Sequence, residues 1–420
     1  MIEVITPPSV SQRNSADAGL RAVISWLAAD FLSMLGDQFS TIAIYVMAVY
    51  ALGPARAGLV LLASGIPRVL LTLLGGIVAD RYSAKRIVFA CDCARVIALG
   101  GSAILIAAVG VSLPSVTFVG VSLGICGAIA TPPEGTLLVF ALPAEDVPRF
   151  QGIRSVLVQL AAVIGGPAGG AVVAAFGAAA ALSGDCVSFA LVLVPLAMLP
   201  QRPRSEEPRI EAKRQGRPLA GLASGLSYVL SNPVVWSSLI VVSAMNALGS
   251  SVFGLAATQL TVERGWGPGG FGVLIGVFGV GGVTGGLLMI RLVRKVTRAG
   301  SMAALGFCAA SLAFLIVALV DNLAGACLGT FAVGVGAGFG GGFIVPLIQT
   351  HTEENMMGRV MSALAVSTMG IVELSAPGAG FLVAGLGASR ALVVAGAAGG
   401  LVAISALSFR PFRVARLPGR

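Results

Sequence analysis

The chain has 420 residues, of which 56% are hydrophobic and only 11% charged, and its mean hydropathy is +0.95. A water-soluble fold carries about 25% charge, so this composition excludes a soluble globular protein and defines an integral membrane protein. The formal net charge of +9 sits in loops between apolar runs, where Lys and Arg are topological signals. A nucleic-acid surface is therefore not implied.

Residues 1–20 are polar, and the apolar run that begins at Val23 is too long for the core of a cleavable signal, so it reads as a retained membrane helix. About 20 apolar residues suffice to cross a bilayer. Twelve runs meet that length: 22–50, 57–79, 87–109, 114–140, 151–177, 180–199, 233–259, 269–291, 300–320, 323–349, 358–384 and 389–409. Residues 201–232 separate the sixth run from the seventh. Their first part, Gln201 to Pro218, is charged and poor in apolar residues, and the remainder reads as an amphipathic helix. The expected organisation is a cytoplasmic tail over 1–21, a six-helix bundle over 22–200, a cytoplasmic linker over 201–232, a second six-helix bundle over 233–409 and a cytoplasmic tail over 410–420. One set of loops holds Arg81, Lys85, Arg86, Arg149, Arg154, Arg291, Arg294, Lys295, Arg298 and Arg359, whereas the opposite set holds only Arg56, Arg264 and Arg390. That asymmetry places both termini and the linker on the cytoplasmic side.

The two bundles read as copies of one half. A shift of 210 residues takes Gly76 to Gly286, Arg81 to Arg291, Lys85 to Lys295, Arg149 to Arg359, Pro167 to Pro377, Gly170 to Gly380 and Gly177 to Gly387, with no gap. A parallel repeat in an apolar chain predicts an all-α transporter of twelve membrane helices, with its site between the two bundles.

The stretch Gly76-x-x-x-Asp80-Arg81-x-x-x-Lys85-Arg86 resembles the cytoplasmic signature between the second and third helices of the major facilitator superfamily. Ser83 stands where that family usually has Gly, and in the second copy Ile290 replaces the acid. Gly165-Gly166-Pro167-Ala168-Gly169-Gly170 resembles the Gly-Pro motif of its antiporter branches. Leu35-Gly36-Asp37, Gly58 through Pro67, Asp92-x-x-Arg95, Asp185-x-x-Ser188-Phe189 and Gly358-Arg359-Val360 resemble exporters of the macrolide-efflux and siderophore type, a drug:proton antiporter branch. The resemblance implies a cytoplasmic gate formed by Gly76, Asp80, Arg81, Lys85, Arg86, Asp92, Arg95 and Arg359, with Asp80 near Arg359. The alternative for these residues is a solvated loop that only sets orientation, with Asp92 and Arg95 as a structural pair. Gly166, Pro167 and Gly170, with Pro377 and Gly380 opposite, are expected to let two related helices pack closely and bend between the halves.

An acid inside a membrane helix is costly, about 2.5–3.5 kcal/mol for Asp at the centre on insertion scales. Asp37, midway along the first run, is the first candidate for a proton-coupling acid; its other reading is a packing contact with Gln38 or a neighbouring helix. Glu373 is the second, because Val163 occupies the matching place in the first half. Asp185 is the third, with a polar packing contact as the other reading. Glu134 follows Pro132-Pro133 and reads as a helix-end carboxylate in water or as an attractor of cations. His351, the only histidine, reads as a loop residue rather than a proton relay. Trp26, Phe31, Phe39, Tyr45, Trp236, Phe253 and Phe343 read either as a greasy cavity lining or, as most membrane aromatics do, as residues facing lipid or the interface. The six cysteines lie in or beside apolar runs without metal-pair spacing, and they read as small packing residues.

The function expected is secondary export of amphipathic small molecules by proton antiport in a bacterial plasma membrane, by a functional monomer. Its expected partners are protons, the small-molecule substrate and the lipid bilayer. The alternatives are a dedicated exporter of one metabolite, such as a siderophore or self-made antibiotic, and a non-transporting sensor or scaffold. No cofactor, metal or nucleic acid is expected. With one histidine and no phosphate-binding Gly-x-x-x-x-Gly-Lys loop, neither an enzyme nor an ATP-driven pump is expected.

Overall fold

A computed structural model of the chain describes residues 10–79, 83–143, 145–200, 227–353 and 356–417. Among them are eleven helical runs long and apolar enough to cross a membrane. The elements are α1 (Val10–Val46, continued by a π turn at Met47–Ala51), α2 (Pro54–Ala79), α3 (Ala84–Val109) and α4 (Leu113–Ala141). A single run, Val147–Met198, follows, and its two arms are α5 (147–176) and α6 (178–198). Then come α7 (Pro233–Glu263), α8 (Gly267–Leu292), α9 (Ala299–Leu319), α10 (Leu323–Thr350), α11 (Met357–Leu386), α12 (Ala388–Ser408) and the short α13 (Arg410–Arg413).

The 52-residue run is not one rod. At 1.5 Å per residue, a continuous helix of that length would span roughly 78 Å, well over twice the hydrocarbon core. Gly177 breaks it, with φ 82° and ψ 173°, a backbone region that a side chain disfavours. The chain doubles back there: Gly169 of α5 and Gly184 of α6 both lie against Phe39 of α1. Gly387, 210 residues later, has nearly the same backbone (φ 82°, ψ 165°) and separates α11 from α12. The two hairpins are thus turned by glycines in one conformation.

Helix starts follow local chemistry. Ser112 and Ser115 form a reciprocal cap at the head of α4, with Ser115 Oγ accepting from the Ser112 amide at 2.9 Å. Asn232 Oδ1 accepts from the amides of Val234 and Val235 at 3.2 and 3.3 Å and starts α7. The large apolar side chains left exposed, such as Ile97, Ile104, Phe176, Leu312 and Leu319, face outward, as expected of surface solvated by lipid rather than water.

Two crossings bring the halves together. α5 lies on α8 where a Cβ on Gly170 would come 2.8 Å from Gly272 Cα, and a Cβ on Gly276 would come 2.5 Å from Pro167 Cγ. α11 lies on α2, where a Cβ on Gly58 would strike the Ala376 carbonyl and one on Gly380 the Pro54 carbonyl. Small residues allow this backbone approach. At the end away from the basic loops, Tyr50 of α1 hydrogen-bonds Thr261 of α7 at 2.8 Å. Nearby, Tyr45 packs on Phe271 with ring centres 5.7 Å apart.

Candidate functional site

A cavity of about 510 Å3 lies among α1, α2, α4 and α11. Asp37, Gln38, Ser40 and Thr41 of α1 form one wall, Ser64 and Arg68 of α2 a second, and Glu134 of α4 and Glu373 of α11 the others. Position along the helix explains the α1 wall. Asp30, Ser33, Asp37 and Ser40 recur at intervals of three or four residues and form a polar stripe on an otherwise apolar helix. Asp37 is open to the cavity, and its carbonyl accepts from the Thr41 hydroxyl at 2.8 Å.

Asp185 is fully buried and sits beside Asp37 on α1. Ser40 Oγ donates to its Oδ2, and Ser188 Oγ lies 3.3 Å from its Oδ1. Gly36 makes this possible, because a Cβ there would occupy the place of the Asp185 and Ser188 side chains. Asp185 therefore lies level with Ser40 and Asp37 of α1.

Asp92 and Arg95 are interior residues. Their side chains are 4% and 11% exposed and 3.8 Å apart. Arg95 also lies 3.9 Å from Glu134, with its guanidinium 4.7 Å from the Phe189 ring centre. Arg154 donates to Asp30 at 2.8 Å, lies 3.6 Å from Glu134 and stacks toward Trp26. These partners all belong to the first half, so the contacts of Asp92 and Arg95 hold one bundle rather than clasp two. Glu134 is not a carboxylate left in water; two guanidiniums share it. The reason is tertiary: α3, α4 and α5 converge on α1 here.

Of the other expected gate residues, Asp80 and Arg81 lie outside the described residues, and Gly76 lies in α2. Lys85 Nζ donates to the carbonyls of Ala197 and Leu199 at 2.8 and 2.7 Å, a cation on the free carbonyl end of α6. Arg86 is exposed, and Arg359 Nη1 lies 3.4 Å from Met356 Sδ. Glu373 does bridge the halves: it lies 3.9 Å from Arg68 of α2, and its stem packs on Gly65. His351 Nδ1 is 2.9 Å from the Leu347 carbonyl in its own helix.

Of the seven aromatic candidates, Tyr45 alone reaches this cavity. Phe253 and Phe343 are core residues, and Trp236 stacks on Phe409. Sequence reasoning missed Asp30 and the pairings of Glu134 and Arg154. The signal for Asp30 was its spacing of seven residues from Asp37, two helical turns on one face.

Chemically, Asp30, Asp37, Asp92, Glu134 and Asp185 gather around Arg95 and Arg154. Five carboxyls less two guanidiniums leave an acid surplus of three, part of it buried and part, at Asp37, open to the cavity. A surplus of that size favours protons or cations shared among the acids. A helical bundle that crosses a membrane and opens a polar, acid-rich cavity between its halves is the architecture of a membrane transporter.

The sequence comparisons place it. The model of the Major Facilitator Superfamily matches residues 26–377, and the chain belongs to that family. It is 25% identical over 359 residues to the multidrug efflux pump Tap of Mycobacterium tuberculosis (strain ATCC 25618 / H37Rv), covering 80% of this chain and 81% of that one. It is also 25% identical over 391 residues to the MFS-type transporter YfiS of Bacillus subtilis (strain 168), covering 90% of each. Its fold matches the crystal structure of a bacterial homolog of the human lysosomal transporter Spinster in an inward-facing, unoccupied conformation. That match has a TM-score of 0.70 at 14% identity and covers 95% of this chain and 98% of that one. The protein is a transporter that crosses the membrane many times.

Proposed function

We propose that this chain exports amphipathic small molecules by proton antiport, through alternating access between two six-helix bundles. The observation that carries the reading is the surplus of carboxyls around Arg95 and Arg154, opening through Asp37 onto a cavity between the bundles. Protons taken up there and substrate held in the cavity would bias one rocking equilibrium in opposite directions. The 25% identity to a multidrug efflux pump supports export, and the ends of the molecule support the orientation. The basic loops would face the cytoplasm of a bacterial cell, with both termini on that side. Both α5 and α6 cross the membrane in this reading, giving twelve passes with a repeat offset of 210 residues, and the chain acts as a monomer.

Within this scheme Asp37 is the acid on which proton movement and substrate binding converge. Glu373, paired with Arg68 across the halves, and Asp185 are the other two acids placed to respond. Gly166, Pro167, Gly170, Pro377 and Gly380 form the surfaces on which the bundles rock. Asp80, Arg81, Lys85, Arg86 and Arg359 would close the cytoplasmic end in the opposite state.

One observation favours a second reading, a dedicated exporter for a single metabolite. About half of the cavity wall is charged or polar, and Tyr45 is its one aromatic residue among the described ones. A multidrug cavity is expected to be greasier.

Efflux of a fluorescent lipophilic cation from cells expressing the chain separates these readings. Proton-driven multidrug export predicts efflux that collapses with a protonophore and is lost in Asp37→Asn. Protonophore-sensitive efflux that survives Asp37→Asn would move the coupling role to Glu373 or Asp185. Absence of efflux from well-folded protein would favour the dedicated exporter.

A further inference from the structure

The first bundle encloses a second, smaller chamber of about 80 Å3, room for about two or three waters at ~30 Å3 each. Its apolar sides are Trp26, Val88 and Val192, and its polar lining comes from α1, α3, α4 and α5. Asp37, Arg95 and Glu134 line both this chamber and the larger cavity, so they form the wall between the two. Asp92 lines the chamber and not the cavity.

Asp92 is 2% exposed, and among the described residues no hydrogen-bond donor reaches its Oδ1. Its ion-pair partner, Arg95, stands off at 3.8 Å and is shared with Glu134 at 3.9 Å. The charged groups around Asp92 are Asp30 and Asp37 from α1, Arg95 on its own helix, Glu134 from α4, Arg154 from α5 and, beyond Asp37, Asp185 from α6. The thiols of Cys91 and Cys126 lie alongside. In the chamber wall itself four acids face two guanidiniums. Arg154 is committed to Asp30 at 2.8 Å, which leaves Arg95 as the loosely held cation between chamber and cavity.

We propose that this chamber is a proton-holding site separate from the substrate cavity, that Asp92 carries the proton there, and that Arg95 links the two spaces. The proposal rests on the proton-antiport reading. With Asp92 ionised, Arg95 is drawn toward the chamber, and Asp37 is free to receive a cationic substrate group, while Glu134 keeps Arg154. A proton passing from water to Asp92 Oδ1 forms one O–H bond and makes the side chain neutral. Arg95 then turns to Asp37 and Glu134, and the substrate loses its counter-charge. Proton and substrate exclude each other without sharing a binding atom.

The test is ethidium binding to the purified full-length protein in weakly buffered detergent, with proton release and affinity followed together. Wild type is expected to release about one proton per ethidium bound at acidic pH, with affinity changing about tenfold per pH unit below the midpoint. Asp92→Asn, neutral like protonated Asp92, is expected to bind ethidium with the weak affinity of wild type at low pH, with the release lost and the affinity flat in pH. Release that persists in Asp92→Asn, or that is lost instead in Glu373→Gln or Asp185→Asn, the other acids of the proton-antiport reading, would overturn the proposal. Should Asp92→Asn fail to fold, Asp92→Glu decides: a shifted midpoint supports the assignment, and an unchanged one overturns it. Wild-type protein that binds ethidium with no proton release at any pH would instead overturn proton antiport itself, and the chamber proposal with it.

Discussion

At the scale of single residues, the buried charges of the first bundle hold a folded structure as well as a site. Arg154 answers Asp30 at 2.8 Å, with both side chains largely buried. Removing one partner of such a pair strands the other, which costs about 3–5 kcal/mol. Arg154→Ala is therefore expected to lower the thermal midpoint of the detergent-solubilised protein strongly. Adding Asp30→Asn to it should recover part of that loss, because the stranded charge is then gone. A melt in which the double variant is no better than Arg154→Ala would show that the pair contributes packing rather than charge balance. Part of this site was legible in the sequence. Asp37, Asp185, Glu373, Asp92 and Arg95 stand out as charges inside apolar runs, and charge there needs a reason. Their partners were not legible, because Asp30 and Arg154 are 124 residues apart and Ser40 and Asp185 are 145 apart. No local spacing reports a meeting that depends on how α5 and α6 fold back on α1.

At the scale of elements, the two inter-half crossings are built from glycine against backbone. On α11, a Cβ on Gly380 would meet the Pro54 carbonyl, whereas one on Gly378 would meet nothing within 4 Å. Overpacking a tight contact typically costs about 1–3 kcal/mol. Gly380→Val is expected to lower both stability and transport, and Gly378→Ala to leave both near wild type, by melting and by cation efflux. Equal effects at the two positions would refute the close-approach account. Each crossing passes a proline that stands out in the sequence, Pro167 where α5 lies on α8 and Pro377 where α11 lies on α2. The turn at Gly177 falls where the sequence runs 151–177 and 180–199 part; what the sequence hid was its tightness, since Ala178, Ala179 and Ala180 follow at once and only the backbone of that glycine separates two arms from one rod.

At the scale of the whole molecule, the described contacts between halves run from the α2–α11 and α5–α8 crossings to Tyr50 and Thr261, away from the basic loops. Alternating access requires this end to part when the other closes. Cysteines placed at Tyr50 and Thr261, in a background with the six native cysteines replaced, are expected to cross-link and to stop efflux until reductant is added. Efflux that continues with the cross-link complete would mean that the contact does not open during transport. The Arg68–Glu373 pair spans the halves at 3.9 Å with Arg68 half exposed, so it has the weak, solvent-screened character of a contact that can be broken and remade.

The central claim, that a proton gradient drives transport through the acid cluster of the first bundle, is tested most directly in proteoliposomes. The purified chain would be reconstituted with an imposed pH gradient, and uphill movement of a fluorescent lipophilic cation followed for wild type and for Asp37→Asn. The account predicts accumulation that tracks the size and direction of the gradient in wild type, collapses when a protonophore dissipates it, and is absent in Asp37→Asn. Cation movement that runs only downhill and ignores the pH gradient in wild-type protein would contradict it.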